Sequence, residues 1–288
     1  LAQLAADPPA PSGPAPAPAG LLEPAWRKWY ERRDSWPRPL YRQTPMTLHR
    51  TAKQALAICV PAKHGSSRWV KLLRRIDGHP DYRDFDVRSS GKLLRRLSDQ
   101  PVAVQREVWA SSAHFKVLVA RNPLIRALSA YLEKRAELSL PPTFAAWVAS
   151  ELRRDKRGSA DEHWRPPTES CESPARVHYD FIAHVETRSQ WLPEFALLLG
   201  VRAMVDRGWG TSGDEPFAAA VGESEAKHAD ELANLQEHYT RDAFRAATCF
   251  YFEDIHLLGY KSSVRALWQR LWGSEADFPA AVEDACGG

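Results

Sequence analysis

The chain has 288 residues, 44% of them hydrophobic and 26% charged, a balance that belongs to a globular protein and excludes a mostly disordered one. No apolar run approaches the roughly 20 residues of a membrane helix. The four cysteines are too few for a disulfide scaffold and show no zinc-ligand spacing. The net charge of +3 is unevenly placed: residues 62–100 carry ten Lys and Arg against five Asp and Glu, and residues 206–288 seven against fifteen. A basic surface beside a cleft attracts an anionic ligand, whether nucleotide, sulfated glycan or nucleic acid; the plainer reading of the counts is a solvated helix face.

Residues 1–24 are Ala, Pro, Leu and Gly-rich, with seven of the 22 prolines, the composition of a stiff stem or linker. The sequence opens on Leu1, so a signal or anchor removed upstream is expected. Residues 25–52 read as an N-terminal extension. The apolar run at 54–60 predicts a buried strand, followed by a Gly-Ser turn and a helix over 69–76. A second helix is expected near 88–98 and a second buried strand at 115–120. Asn122 and Pro123 then supply an N-cap and an N1 proline for the next helix. A third strand is expected at 181–185, with Thr187 capping a helix to about Leu199. Residues 206–222 read as loop and 223–250 as helices. Strands alternating with helices predict an α/β fold: a P-loop-like central parallel sheet flanked by helices, with a helical C-terminal part.

Three constellations carry chemistry. Lys63-His64-Gly65-Ser66-Ser67-Arg68 occupies the first strand-to-helix turn, where helix N–H groups and the dipole form an anion site. Gly65 permits close backbone approach, the serines add hydroxyls and Lys63 a charge. The lysine precedes the glycine, so this is not a Walker A loop, and a Mg²⁺-dependent NTPase is disfavoured. An ordinary turn with a capping serine is the alternative. At the second strand end, Arg121 with Ser129 from the following helix can grip a phosphate, with Arg126 between them; a salt bridge, a packing serine and a solvated arginine are the plain alternatives. The third constellation is His163-Trp164-Arg165-Pro166, with Tyr179 to Thr187 downstream. A histidine can take a proton from a sugar hydroxyl, although a lone loop histidine is more often a surface residue.

Together these motifs resemble the Golgi carbohydrate sulfotransferases of the chondroitin/dermatan 4-O-sulfotransferase group, which use 3′-phosphoadenosine 5′-phosphosulfate (PAPS). The family's P-K-x-G-C-T-N-W loop is similar to the segment from Lys63 to Trp69. Its V-R-D-P-F-E-R-L-V-S-A-Y motif is similar to Ala120 through Tyr131. Its H-W-x-P and Y-D-x-I-x-x-x-E-T are matched at His163–Pro166 and Tyr179–Thr187, and its closing aromatic-acidic segment resembles Tyr251 to Tyr260. The resemblance covers 53–261, leaving 262–288 as a tail.

It implies sulfuryl transfer from PAPS to a sugar hydroxyl, leaving adenosine 3′,5′-bisphosphate. Lys63, His64, Gly65, Ser66, Ser67 and Arg68 would take the phosphosulfate, and Arg121, Arg126 and Ser129 the 3′-phosphate. His163 would be the base, with His64 and Glu186 as alternatives. The implied acceptor is an acidic or GalNAc-containing glycan in the Golgi lumen, with no metal, no nucleic acid, and membrane attachment only through a segment upstream of Leu1. The rival readings are a P-loop-type kinase and a non-catalytic glycan- or nucleotide-binding relative. The sequence departs from the family pattern at Ala62, an extra residue; at Ser66 and Ser67, in place of Cys and Thr; and at Asn122, in place of Asp. The paired cysteines after H-W-x-P are reduced to Cys171, which leaves three full pairings of Cys59, Cys171, Cys249 and Cys286 open. There is no N-x-[ST] sequon, so N-glycosylation is not expected.

Overall fold

Three apolar runs form the centre of the fold. β2 (Ala55–Cys59), β3 (His114–Ala120) and β4 (Phe181–His184) pair in parallel, and β1 (Thr47–Arg50) adds an antiparallel edge, giving the order β1-β2-β3-β4. The structure is a computed structural model and describes residues 45–85, 94–209, 213, 215–217, 233–273, 278 and 286. Its helices in chain order are α1 (Ser66–Ile76), α2 (Val102–Ala110), α3 (Pro123–Lys134), α4 (Phe144–Glu151), α5 (Pro167–Ser170), α6 (Arg188–Leu199), α7 (Arg202–Asp206), α8 (Arg241–Phe250), α9 (Phe252–Leu257) and α10 (Lys261–Trp272), with further helix at 233–238.

The strands read as continuous apolar runs because both sheet faces are covered. Leu56, Ile58, Val117 and Val119 pack in one core with Trp69 and Leu72 of α1 and Leu192, Phe195 and Leu199 of α6. Ala57, Cys59, Leu118 and Ala120, alternating with them, pack in the other core with α3, α4, α8 and α10. The fold is therefore α/β, a mostly parallel sheet between helical layers with further helices in the C-terminal part.

The expected strands stand within a residue of their predicted ends. Asn122 caps α3 as expected, its side chain accepting from Leu124 N at 3.0 Å and Ile125 N at 3.4 Å. Other elements differ. Residues 47–50 belong to the sheet rather than to an extension: Thr47 and His49 point inward, with His49 Nε2 2.9 Å from Thr47 Oγ1 and Nδ1 2.9 Å from Asp77. No α-helix covers 94–98. Arg95 O accepts from Leu48 N at 2.9 Å and Leu97 N donates to Met46 O at 2.7 Å, so pairing with the β1 segment overrides local helix propensity, and the helix is α2 instead; 86–93 lie outside the described residues, as do 218–232 in the expected loop and helices. Thr187 stands at the N-cap of α6 but makes no side-chain capping bond.

Within the stretch expected as a tail, the described residues include α10, which packs in the core, and Cys286, which is bonded to Cys249. The second disulfide joins Cys59, the last residue of β2, to Cys171, the C-cap of α5, across 112 residues. The pairing left open by the sequence is thereby settled, and Cys171 is bonded to the sheet rather than to a neighbour.

Chain-entropy arithmetic gives about 5 kcal/mol for closing a loop of this length and about 4 kcal/mol for the shorter Cys249–Cys286 loop. A Cys59→Ala/Cys171→Ala variant should therefore unfold at lower urea than wild type, and at slightly lower urea than Cys249→Ala/Cys286→Ala. Equal midpoints for wild type and both variants would contradict the pairing.

Candidate active site

β2, β3 and β4 end together: the register sets Cys59 beside Leu118 and Ala120 beside His184. In open parallel sheets this carboxyl edge is where ligands bind. The loop leaving β2 turns sharply into α1. Gly65, the N-cap, has φ +73°, and Lys63 has φ +68°, a conformation that costs a residue with a side chain about 1–3 kcal/mol and tends to mark functional turns.

This winding turns the loop carbonyls inward. Ala62 O accepts from Arg126 Nε at 3.0 Å and from His64 Nδ1 at 3.0 Å; Lys63 O accepts from Arg121 Nη1 at 3.0 Å. The N–H groups of Gly65, Ser66 and Ser67 have no partner among the described residues. Three free amides at the start of an 11-residue helix make a ready anion site. Ser67 and Arg68 are exposed and Ser66 half-buried, while Trp69 is a core residue stacked on Trp191 at 6.1 Å.

Arg121 is held at this loop by its bond to Lys63 O, and Ser129 stands half-buried two turns into α3. Arg126 and His64 do not share the exposed surface expected of them. Arg126 is fully buried; besides Ala62 O it donates from Nη2 to Glu162 O at 3.2 Å, so it bridges two chain segments. His64 is also fully buried, and burial first, then the Arg126 charge, push its pKa well below the usual value. The ring is neutral and donates Nδ1–H to the carbonyl, which leaves no role for it as a charged phosphate ligand or solvent-facing base. Both residues form the scaffold behind the loop.

The segment fixed by Arg126 carries His163. Asp161 Oδ1 accepts from His163 N at 2.9 Å and lies 2.6 Å from His163 Nδ1. Burial works against the Asp161 charge, but the two His163 N–H groups and the histidine field hold its carboxyl below the usual range. On the loop side, the Lys63 ammonium pairs with Glu133 of α3. That hydrogen bond, against partial burial, holds the Glu133 carboxyl low, and the fields of Lys63, Lys134 and His163 add to it. Lys63, Glu133 and His163 thus form one electrostatic cluster. Asp161 and Glu133 were missed from sequence. The D-x-H spacing was a usable signal for the first; Glu133 was hidden in an ordinary helix, marked only by its place one turn beyond Ser129.

Glu186, the alternative base, is bound on both oxygens. Oε1 accepts from Asn122 N at 2.5 Å and Oε2 from Tyr260 OH at 3.0 Å, and His184 stacks on Tyr260 at 4.9 Å. The aromatic-acidic segment works behind the site. Tyr251 OH donates to Trp164 O at 2.7 Å, and Asp254 Oδ1 accepts from Thr168 N at 2.9 Å. Burial pushes the Asp254 carboxyl up to about 6, against the opposing pull of the Thr168 hydrogen bonds and of Arg157 and Arg126.

A carboxyl raised in the folded state binds protons more tightly there than in the unfolded chain. Its contribution is present below the ordinary aspartate value of about 4 and is lost as pH rises through about 6. Asp254→Asn, which keeps an oxygen for Thr168 N, should remove that part of the slope of stability between pH 4 and 6. Urea unfolding across this window checks it; an unchanged slope would show that Asp254 does not titrate there.

The sulfotransferase family profile matches residues 47–261. Human carbohydrate sulfotransferase 14 is 25% identical over 186 residues, covering 54% of this chain and 47% of the relative, and the mouse protein of that name gives the same figures. The chain thus matches under half the length of these curated relatives. No solved structure matches. The chain belongs to the sulfotransferase family.

Proposed function

We propose that this chain moves a sulfuryl group from PAPS to a hydroxyl of a glycan, releasing adenosine 3′,5′-bisphosphate. The observation that carries the reading is the loop at the end of β2: three unpartnered amides at a helix N-terminus, with Lys63 and Arg121 beside them and the His163–Asp161 pair held near by Arg126. This arrangement fits a donor with phosphate at both ends. The amides of Gly65, Ser66 and Ser67, with Lys63, the Ser67 hydroxyl and the flanking Arg68, would hold the 5′-phosphosulfate. Arg121 and Ser129 would hold the 3′-phosphate.

PAPS supplies an activated sulfuryl group when bound. Asp161 accepts from Nδ1–H of His163, which leaves Nε2 as the basic nitrogen. His163 Nε2 takes the proton of the acceptor hydroxyl as its oxygen bonds to sulfur. The sulfur–oxygen bond to phosphate breaks, and its electron pair stays on the phosphate oxygen, where Lys63 and the loop amides meet the growing charge. With that charge met by cations and amides, the mechanism uses no metal.

A glycan acceptor is in keeping with the name of the relatives, carbohydrate sulfotransferase; an acidic or GalNAc-containing one is the proposed acceptor, and the basic 62–100 segment would suit its acidic groups. A Golgi-lumen location agrees with the two disulfides, which persist in oxidising compartments. Among the described residues no helix is long and apolar enough to cross a membrane.

Labelled-sulfate transfer from PAPS across chondroitin, dermatan, heparan and neutral glycans tests the whole reading. Lys63→Ala should cut transfer by roughly 10²-fold or more, as expected for loss of a preorganised donor to a developing oxyanion. Lys63→Arg should rescue poorly, because a planar fork does not occupy the ammonium's place. Wild-type turnover in Lys63→Ala would remove the loop from the chemistry.

A separate pair of variants tests the base. His163→Ala should bind adenosine 3′,5′-bisphosphate as wild type does but lose about 10²–10⁴-fold in transfer, the usual contribution of general-base catalysis. Asp161→Asn should slow transfer in the same direction by releasing the ring. Near-normal turnover in His163→Ala would assign the proton to another group.

A further inference from the structure

The Lys63 ammonium does not stand free at the loop. It is ion-paired to the Glu133 carboxylate, with the lysine side chain 13% and the glutamate side chain 46% exposed. Glu133 lies one turn beyond Ser129 on α3, and residues at this spacing share a helix face. Lys63 therefore reaches from the donor loop to the helix face that also presents Ser129. A 5′-phosphosulfate on the α1 amides needs the ammonium back over the loop, and a phosphate brought close to a carboxylate is repelled by it.

We propose that Glu133 is a positioning residue that acts through Lys63: it holds the ammonium away from the α1 N-terminus until the donor's phosphosulfate takes it, so that donor loading has to break an ion pair. The inference rests on the proposed role of Lys63 as a donor ligand. It has a second consequence. Once Lys63 has turned to the phosphosulfate, the released carboxylate remains in the cluster with His163, where it stabilises the imidazolium formed when His163 accepts the hydroxyl proton. Glu133 thus weakens donor binding and assists proton transfer. Asp161 adds to the second effect at Nδ1 of the ring, and Lys134, whose charge also acts on Glu133, opposes it.

The test is Glu133→Gln, which keeps shape and removes charge at a half-exposed position. Calorimetric titration with adenosine 3′,5′-bisphosphate should show binding tighter by about two- to fivefold, the range of a partly exposed ion pair. The KM for PAPS should fall with it, while kcat falls by a similar factor. A group that only supported the fold would not lower both. In a Lys63→Ala background, Glu133→Gln should leave the affinity unchanged, since the pair it breaks is already gone. Unchanged or weaker binding in Glu133→Gln, or an affinity gain that persists without Lys63, overturns the proposal. If wild type binds no adenosine 3′,5′-bisphosphate, the donor reading itself falls and the latch with it; if wild type binds and only the Glu133 effect is missing, the donor reading stands alone.

Discussion

Arg126 donates through Nε to Ala62 O in the loop after β2 and through Nη2 to Glu162 O beside His163. These two carbonyls belong to segments 100 residues apart in sequence, and the chemistry at the loop mouth depends on their distance. A guanidinium suits the task because it is planar and presents several donors in a rigid fork, where an ammonium would offer a point charge on a flexible stem. Burying it opposes its charge, yet the nearby Tyr251 and Asp254 fields work in its favour. Removing one member of such a buried set leaves the others uncompensated, at a cost of about 3–5 kcal/mol. What looks from sequence like a ligand arginine is better understood as the spacer that fixes the segments carrying Lys63 and His163.

A second layer holds the spacer. Tyr251 fixes the carbonyl of Trp164, and Asp254 caps the start of α5 through Thr168 N. The Cys59–Cys171 disulfide joins the far end of that helix to the strand that enters the donor loop. The next strand turn is secured in a similar way, because Glu186 joins Asn122 N to Tyr260 OH. The loops after β3 and β4 are therefore tied to the C-terminal helical part through Tyr260, and the loop after β2 to Arg121, to Arg126 of α3 and, through the disulfide, to α5. Such cross-ties suit the proposed site, which would hold a charged donor and a base in fixed relation, since loops alone would sample many positions.

The sheet and its order were legible because both faces of β2, β3 and β4 are covered, which leaves uninterrupted apolar runs, and because Asn122-Pro123 is a strong local start signal. β1 was not legible: its inward positions are Thr47 and His49, which satisfy each other by hydrogen bonding, so the usual polar-out pattern is inverted. The segment 94–98 misled because its pairing partner lies some fifty residues upstream. At the site, the residues that carry charge or hydroxyls were legible by type, but their sorting into exposed and buried was not. Arg121 and Arg126 look equivalent in sequence. One end of a strand and one turn of helix separate them, and that is enough to leave the first half-buried at the loop and the second wholly enclosed.

Ala62 shows how a departure from the family pattern can be absorbed. An extra residue between Pro61 and Lys63 lengthens the loop and adds a carbonyl that has to be satisfied near the core. Two donors meet it: Arg126 and the neutral ring of His64, a residue type not usual at that place in the family. Lys63 after it is in the left-handed conformation, and so is Gly65. Reversing the chain twice in three residues returns the backbone to the course needed to start α1 with its amides unpaired. The carbonyl of the extra residue is thus satisfied by the histidine and by the buried arginine. Removing Ala62 would take away the acceptor of His64 Nδ1–H and Arg126 Nε, two donors buried behind the loop.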